Sequence, residues 1–390
     1  MLNKEILEFI KLTAPGTLLR EGLDNIIRAG NGALIVVTDP TKLTCLIDGG
    51  FRIDSEFFPA YLYELSKMDG AIVLSKDIKR ILLANTLLLP NPLIQTFETG
   101  TRHKAAERTA KQVGELVICI SQRRNIISLY KGDFKYILRS TSEILAYANN
   151  ALQTMEKNKK VLQRELDNLT MLEFNDVCRY SDVINVIIRC EIAMRIADEI
   201  RTYICELGVE GRLISIQLEE LLTNIEDEEL LLVEDYISSE CTDHPVELLE
   251  RFHDLGDDAL ASYETIFTLM GYNHNQVSMD ATVSPKGFRA LSKITRIPKS
   301  VQGKLIGTFD NLKGMIAATV DQLDIVDGIG GQRARNINQG LKRIKERVNM
   351  YLNQGDGVVG TNLCQQPRPP GSLFISSCIS QVAGAAQVLL

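Results

Sequence analysis

The sequence predicts an α/β N-terminal domain built on a mixed central sheet, followed by an all-α spine and an all-α pair of helical hairpins. Three observations predict it. Short β-rich apolar runs alternate with helical patterns over about the first 145 residues. Helical periodicity with little turn chemistry follows from Ser142 to Glu229. The segment from Ser284 to Glu346 holds two degenerate copies of helix, tight apolar turn and helix. The implied boundaries are 1–141, 142–283 and 284–350, with 351–390 as a tail.

The clearest strand is Ala33 to Thr38, followed by Ala71 to Ser75, Leu116 to Ser121 and Ile126 to Tyr130. The polar turn Gln122-Arg123-Arg124-Asn125 makes the last two an antiparallel hairpin. Helices are expected from Pro59 to Met68 and from Arg102 to Val113, the second stopped by Gly114 where helix C-termini favour a left-handed residue. Ile144, Leu145 and Ala148, then Ile184, Val186, Ile187, Ile192 and Ile196, mark the apolar faces of the spine. Beyond Tyr351, Gly-Asp-Gly and Gln-Gln-Pro-Arg-Pro-Pro-Gly carry no usable periodicity, and the tail reads as disordered.

With 390 residues, 45% apolar and 24% charged, and a formal net charge of -7, the chain is predicted to be soluble and to hold two or three domains. No run reaches the roughly 18 to 20 apolar residues of a membrane helix, and the N-terminus has no signal-peptide core, so a cytoplasmic protein without a membrane partner is expected. Eight scattered cysteines with no CxxC pair and four histidines disfavour disulfide frameworks and structural zinc. His244, His253 and His274 lack convergent ligand spacing, and Cys119 reads as a small hydrophobe in a strand.

Charge is distributed unevenly. Glu206 to Asp258 carries 17 acidic and 2 basic residues, and reads as a solvated face and linker, with internal mimicry of nucleic acid the lesser alternative. Lys286 to Met350 carries 13 basic and 5 acidic residues, a density that attracts a polyanion. In its second hairpin, Gly328 and Gly330 flank Ile329 just before a basic helix bearing Arg333 and Arg335. The first copy, Leu291 to Ser300, has Pro298 in place of the second glycine and Lys299 after it. Glycine lets the backbone approach closely, so N–H groups at the next helix start can bind a phosphate. This segment resembles the tandem helix-hairpin-helix DNA-binding domain; an ordinary helical hairpin is the alternative.

The chemistry is predicted at Glu98-Thr99-Gly100-Thr101-Arg102-His103-Lys104. Three basic side chains at a helix N-terminus meet a macrodipole that is already positive, which is unfavourable unless an anion joins them. A polyphosphate satisfies guanidinium, imidazole, ammonium and backbone N–H groups together. Met68-Asp69-Gly70-Ala71 joins a helix to a strand and sets one carboxylate beside a glycine at the sheet's edge, where it could hold Mg²⁺ or take a hydroxyl proton. A carboxylate and a cationic cradle together suggest phosphoryl or nucleotidyl transfer without a P-loop or Rossmann fingerprint.

Asp69-Gly70-Ala71, followed 31 residues after Ala71 by Arg102-His103-Lys104, resembles the paired DGA and RHR motifs of diadenylate cyclases. With Ala14-Pro15-Gly16-Thr17, Leu19-Arg20-Glu21-Gly22-Leu23 and Ile120-Ser121-Gln122-Arg123-Arg124-Asn125, plus the spine and hairpins, residues 5 to 348 resemble the DisA family of DNA integrity scanning proteins. The resemblance implies condensation of two ATP into cyclic di-3′,5′-AMP and two pyrophosphates, with Mg²⁺ or Mn²⁺. It implies Asp69 as metal ligand and catalytic carboxylate, and Arg102, His103 and Lys104 as catalytic. Gly70, Ala71, Leu88, Thr101, Arg102, His103, Ser121 and Arg124 would bind ATP, and Lys299, Gly328, Gly330, Arg333 and Arg335 would bind DNA. It further implies a homo-octamer with face-to-face cyclase domains, branched or junction DNA as an inhibitory partner, and a cytoplasmic, nucleoid-associated location.

Two positions depart from the family pattern: Lys104 stands where Arg is usual, losing bidentate geometry, and Ala105 where Thr is usual. These lower the expected rate. They also leave a second reading, a DNA-binding scaffold whose cyclase domain binds ATP without turnover, which product formation separates from the enzyme. An ATP-dependent repair nuclease lacks the carboxylate cluster it needs.

Overall fold

The computed structural model describes residues 4–273, 275–294 and 297–355. His274, Thr295 and Arg296 of the first hairpin, and the tail from 356 on lie outside the described residues. Two compact units divide the chain: Met1–Leu152 with Glu199–Gln217, and Gln153–Asp198 with the chain from Leu218 on.

The first unit runs α1 (Lys4–Leu12), α2 (Leu18–Arg28), β1 (Ala33–Val37), β2 (Ile47–Asp48), β3 (Phe51–Glu56), α3 (Pro59–Leu65), β4 (Ala71–Leu74), β5 (Arg80–Leu88), α4 (Thr101–Val113), β6 (Leu116–Ser121), β7 (Ile126–Lys131) and β8 (Phe134–Leu138). The start of α5 (Thr141–Phe174) and the end of α6 (Tyr180–Leu207) belong to it too, so parts of the expected spine pack with the α/β elements. Thr17 caps α2 by accepting from the Arg20 N–H, Pro59 opens α3, and Gly114 ends α4 in the left-handed region at φ 72.

The sheet has the order β2-β5-β4-β1-β6-β7-β8, with β3 also on β5. It is mixed: β1 pairs parallel with β4 and antiparallel with β6, and the β6–β7 hairpin is antiparallel. Every residue of β1 and β4 is buried, as in strands covered on both faces, which is why they read as continuous apolar runs. Four strands were not legible. β3 is largely exposed and lacks a clean apolar alternation, β2 has two residues and β8 lies at the edge. The Leu-rich β5 is broken by register shifts and by Asn85 at φ 54. β4 lies between β1 and β5, so Asp69 stands at the end of an interior strand and not at the sheet's edge.

The second unit holds the rest of α5 and α6, the end of α7 (Arg212–Leu222), α8 (Ile225–Tyr236), α9 (Pro245–His253), α10 (Asp257–Leu260), α11 (Tyr263–Leu269), α12 (Phe288–Ser292), α13 (Lys299–Phe309), α14 (Leu312–Ala317), α15 (Val320–Asp324) and α16 (Gly331–Gly355). Phe174, Leu291, Leu305, Leu323, Ile337 and Leu341 form part of one apolar core. α16 continues past Tyr351 to Gly355, a residue type that commonly ends helices.

Most carboxylates of the acidic stretch are exposed, as a solvated face requires, but the stretch is helical and some of its acids are structural. Glu229 and Asp235 on α8 are buried, at 4% and 2% exposure. The Asp235 carboxylate accepts from the N–H groups of Gly287 and Phe288, both at 2.6 Å, and of Arg289 at 3.0 Å, filling the donors at the start of α12. Burial, and then the nearby Glu173 charge, push this carboxyl up to about 7. Glu228 and Glu234 face Lys293 at 3.8 Å and Lys299 at 3.4 Å. A charge count cannot distinguish such carboxylates from solvated ones.

Candidate active site

The sheet explains how distant motifs meet. Because β1 and β4 are parallel and β6 is antiparallel to β1, the starts of β1 and β4 share one end of the sheet with the end of β6. The register sets Ala33 opposite Ile120 and Ala71 opposite Thr86, so the end of β5 lies there too. Asp69 and Gly70 before β4, Leu88 at the end of β5, Ser121 at the end of β6 and Arg124 in the β6–β7 turn are thus set along one rim. β4's own sequence could not give this, since pairing order is a property of the whole sheet.

Asp69 sits in the turn between α3 and β4 with a fully exposed side chain, its Oδ1 4.0 Å from Arg102 Nη2. Gly70 makes the turn possible at φ 88, where a Cβ would come within 2.8 Å of the Asn85 carbonyl carbon and 2.9 Å of the Thr86 backbone nitrogen. Both obstacles are backbone and cannot swing aside. Gly70→Ala is therefore expected to cost ~2 kcal/mol or more in stability, measured by urea denaturation, and to lower activity by displacing Asp69. Ala71 is buried, and Leu88 joins it with Ala106 in the apolar cluster beneath the rim.

Gly100 is the N-cap of α4 and has no side chain to satisfy the first-turn N–H groups, which leaves them to a ligand. Thr101 is exposed at the first helical position, and Arg102, His103 and Lys104 follow, half-buried. The Arg102 guanidinium passes over Gly32, where any Cβ would collide with it. Burial lowers the His103 pKa; Glu98 opposes this, and Lys135 and Arg124 reinforce it. Arg124 thus acts electrostatically on His103. Its N–H also bonds Ser121 Oγ at 3.3 Å, so turn and strand end are tied. Lys104 closes the first helical turn through its N–H to the Gly100 carbonyl at 2.9 Å.

Two residues emerge without a role assigned from sequence. Gly32 gives Arg102 its passage; a glycine immediately before an apolar strand was the available signal. Glu98 accepts from the Tyr130 hydroxyl at 2.8 Å and pairs with Lys135 at 2.5 Å. Although burial raises the Glu98 pKa, these partners hold it below its usual value, so a carboxylate faces His103. Cys119 is a packed strand residue whose thiol burial pushes up to about 12. Among the described residues, no group of three His, Cys, Asp or Glu could hold a metal alone.

In the second unit, Gly328 adopts φ 88 and Gly330 has open space where a Cβ would point. Arg333 turns back on this hairpin, donating from Nη1 to the Gly328 carbonyl at 2.7 Å, while Arg335 is exposed with a 3.5 Å contact to Gln332. Lys299 opens α13 and faces Glu234. His253 lies between Glu191 and Asp198, at 2.9 and 2.8 Å, and His244 caps α9. No helix among the described residues is long and apolar enough to cross a membrane.

The model of the DisA bacterial checkpoint controller nucleotide-binding region matches residues 20–134, and that of the DisA bacterial checkpoint controller linker region matches 138–279. The DNA integrity scanning protein DisA of Acetivibrio thermocellus is 51% identical over 347 residues, which cover 89% of this chain and 96% of that protein. Its counterpart in Clostridium botulinum strain Loch Maree is 48% identical over 346 residues, covering 89% and 97%. A variant of DacA from Staphylococcus aureus aligns in structure at 22% identity with a TM-score of 0.27, covering 34% of this chain and 88% of that one. Near-complete coverage of relatives at about half identity, with adjoining nucleotide-binding and linker regions, places the chain in the DisA family, and the enzyme is a diadenylate cyclase, a nucleotidyltransferase.

Proposed function

We propose that the rim around Asp69 joins two ATP molecules into cyclic di-3′,5′-AMP, and that a helix-hairpin-helix module couples this synthesis to DNA structure. The observation that carries the first part is the exposed Asp69 carboxylate 4.0 Å from Arg102, beside an uncapped helix start. Each ribose 3′-oxygen attacks the α-phosphorus of the other nucleotide, and each attack expels pyrophosphate. Arg102, His103 and Lys104, with the α4 N–H groups, neutralise the phosphates and the leaving pyrophosphate. Thr101, Ser121 and Arg124 complete the phosphate side, and Gly70, Ala71 and Leu88 the nucleoside side. Lys104 contributes charge without Arg's fork.

Asp69 fits a divalent cation: its carboxylate is exposed and, among the described residues, its ionic contact is Arg102 at 4.0 Å. Mg²⁺ or Mn²⁺ held there, with substrate phosphates as the remaining ligands, would supply charge stabilisation at the α-phosphate. One cyclase domain, residues 1–141, holds one ATP, so two must face each other in a symmetric dimer. An octamer with face-to-face cyclase domains, joined through the 142–283 spine, satisfies this.

The second part rests on the glycine turn at Gly328 and Gly330 ahead of basic α16, with Lys299 at the matching place in the first hairpin, within a 284–350 module. Branched or junction DNA bound there suppresses synthesis, which places the protein in the cytoplasm at the nucleoid. Titrating a four-way DNA junction into the reaction tests this. Synthesis is expected to fall with wild type and to persist with Arg335→Glu, whose DNA-free rate stays unchanged. Insensitivity of wild type at saturating junction would contradict the coupling.

A further inference from the structure

Between α5 and α16 lies an open groove of about 820 Å³ within the second unit. Its walls carry Arg164 from α5, Lys293 just after α12, and Arg343 and Arg347 from α16, against the single carboxylate of Asp167. Arg164, Arg343 and Arg347 are exposed and make no ion pair among the described residues. Arg343 and Arg347 are four residues apart, so they neighbour each other on one helix face, a like-charge arrangement that is mildly destabilising by itself. Arg164 faces them from the opposite wall. Asp167 offsets only part of this charge: it accepts from Gln163 at 3.0 Å and acts electrostatically on Lys293, leaving one acid against four cations on these walls. Lys293 stands 3.8 Å from Glu228, too far for a tight pair. Ile344 and Met171 line the groove with apolar surface between these charges.

Cations gathered from three separate segments, with one competing acid and apolar surface between them, are arranged for a repeating polyanion. Guanidiniums suit phosphate because their forked donors match its oxygens. The i,i+4 spacing of Arg343 and Arg347 advances about 6 Å along the helix, so the pair can reach different phosphates along a strand. We propose that this groove binds a stretch of nucleic-acid sugar–phosphate backbone, a contact set separate from the Gly328 turn. One wall is α5, within the segment that matches the linker region, so the linker takes part in DNA binding alongside the hairpins. This inference rests on the DNA-binding reading above.

The test measures binding of a fluorescent four-way DNA junction to the full chain by anisotropy, across a salt series. It compares wild type with Arg164→Glu, Arg343→Glu/Arg347→Glu, and the hairpin variant Arg335→Glu. Arg164→Glu is expected to weaken binding several-fold and to lower the slope of log affinity against log salt by about 1, and the double variant by about 2. Arg164→Lys, which keeps the charge, should retain the wild-type slope. Unchanged melting and DNA-free cyclic di-AMP synthesis would show that the groove variants fold, with Arg164→Gln in place of Arg164→Glu and Arg343→Gln/Arg347→Gln in place of the double variant if either does not. Wild-type affinity and slope in the groove variants, with Arg335→Glu weakened, would overturn the groove while leaving the hairpin reading standing. Absence of junction binding by wild type would overturn the DNA-binding reading itself, and the groove assignment with it.

Discussion

Asp69→Asn is expected to lower cyclic di-AMP synthesis on the order of 10³-fold or more while leaving the fold and assembly intact. The first half follows from charge. A carboxylate that holds a divalent cation beside the attacking hydroxyl and the α-phosphate is worth several kcal/mol in the transition state, and Asn removes the charge while keeping the shape. The second half follows from exposure: the Asp69 side chain is fully exposed, and its nearest ionic partner is the Arg102 guanidinium at 4.0 Å. No core contact is lost. Initial rates of product formation and the melting temperature, measured on the same preparation, check both halves. Synthesis retained within a few-fold of wild type would remove Asp69 from its role.

Arg289→Ala is expected to have the largest effect on stability, about 3 to 5 kcal/mol in urea denaturation of the second unit. Arg289 is 1% exposed, and its Nη2 donates to Glu173 Oε2 at 2.6 Å and to Thr170 Oγ1 at 2.7 Å. Glu173 is itself buried, at 6% exposure, and also accepts from the Tyr236 hydroxyl at 2.7 Å. Truncating the arginine therefore strands a buried carboxylate, which must either stay charged in a poor medium or take up a proton. Glu173→Gln with Arg289→Met, which removes both charges, should recover much of the loss. A single-variant loss below about 1 kcal/mol would mean that water replaces the guanidinium.

The strands and motifs that were legible owe this to local chemistry. Ala33 to Val37 and Ala71 to Leu74 are wholly apolar because both faces are covered, and Gly114 ends its helix by a rule that needs only its neighbours. The cationic start of α4 was likewise visible as a local electrostatic conflict. What sequence alone withheld was long-range. Ser121 lies opposite Ile126 in a hairpin anyone would draw, yet its approach to Asp69 depends on β1 pairing parallel on one side and antiparallel on the other. Glu98 was in plain view two residues before Gly100, but its partners Tyr130 and Lys135 arrive from β7 and β8. Within the largely exposed acidic segment, Asp235 could not be singled out because it satisfies the start of α12, a helix more than fifty residues later in the chain.

The central claim is most directly tested by mass spectrometry of the products formed when the purified full chain is incubated with ATP and Mg²⁺ or Mn²⁺. Cyclic di-AMP and pyrophosphate in a ratio of one to two are predicted, with single-turnover yield requiring both nucleotides of a facing pair. ATP bound by a folded protein, with no cyclic dinucleotide under either metal, would contradict the account and point instead to a nucleotide-binding scaffold whose cradle is weakened at Lys104 and Ala105.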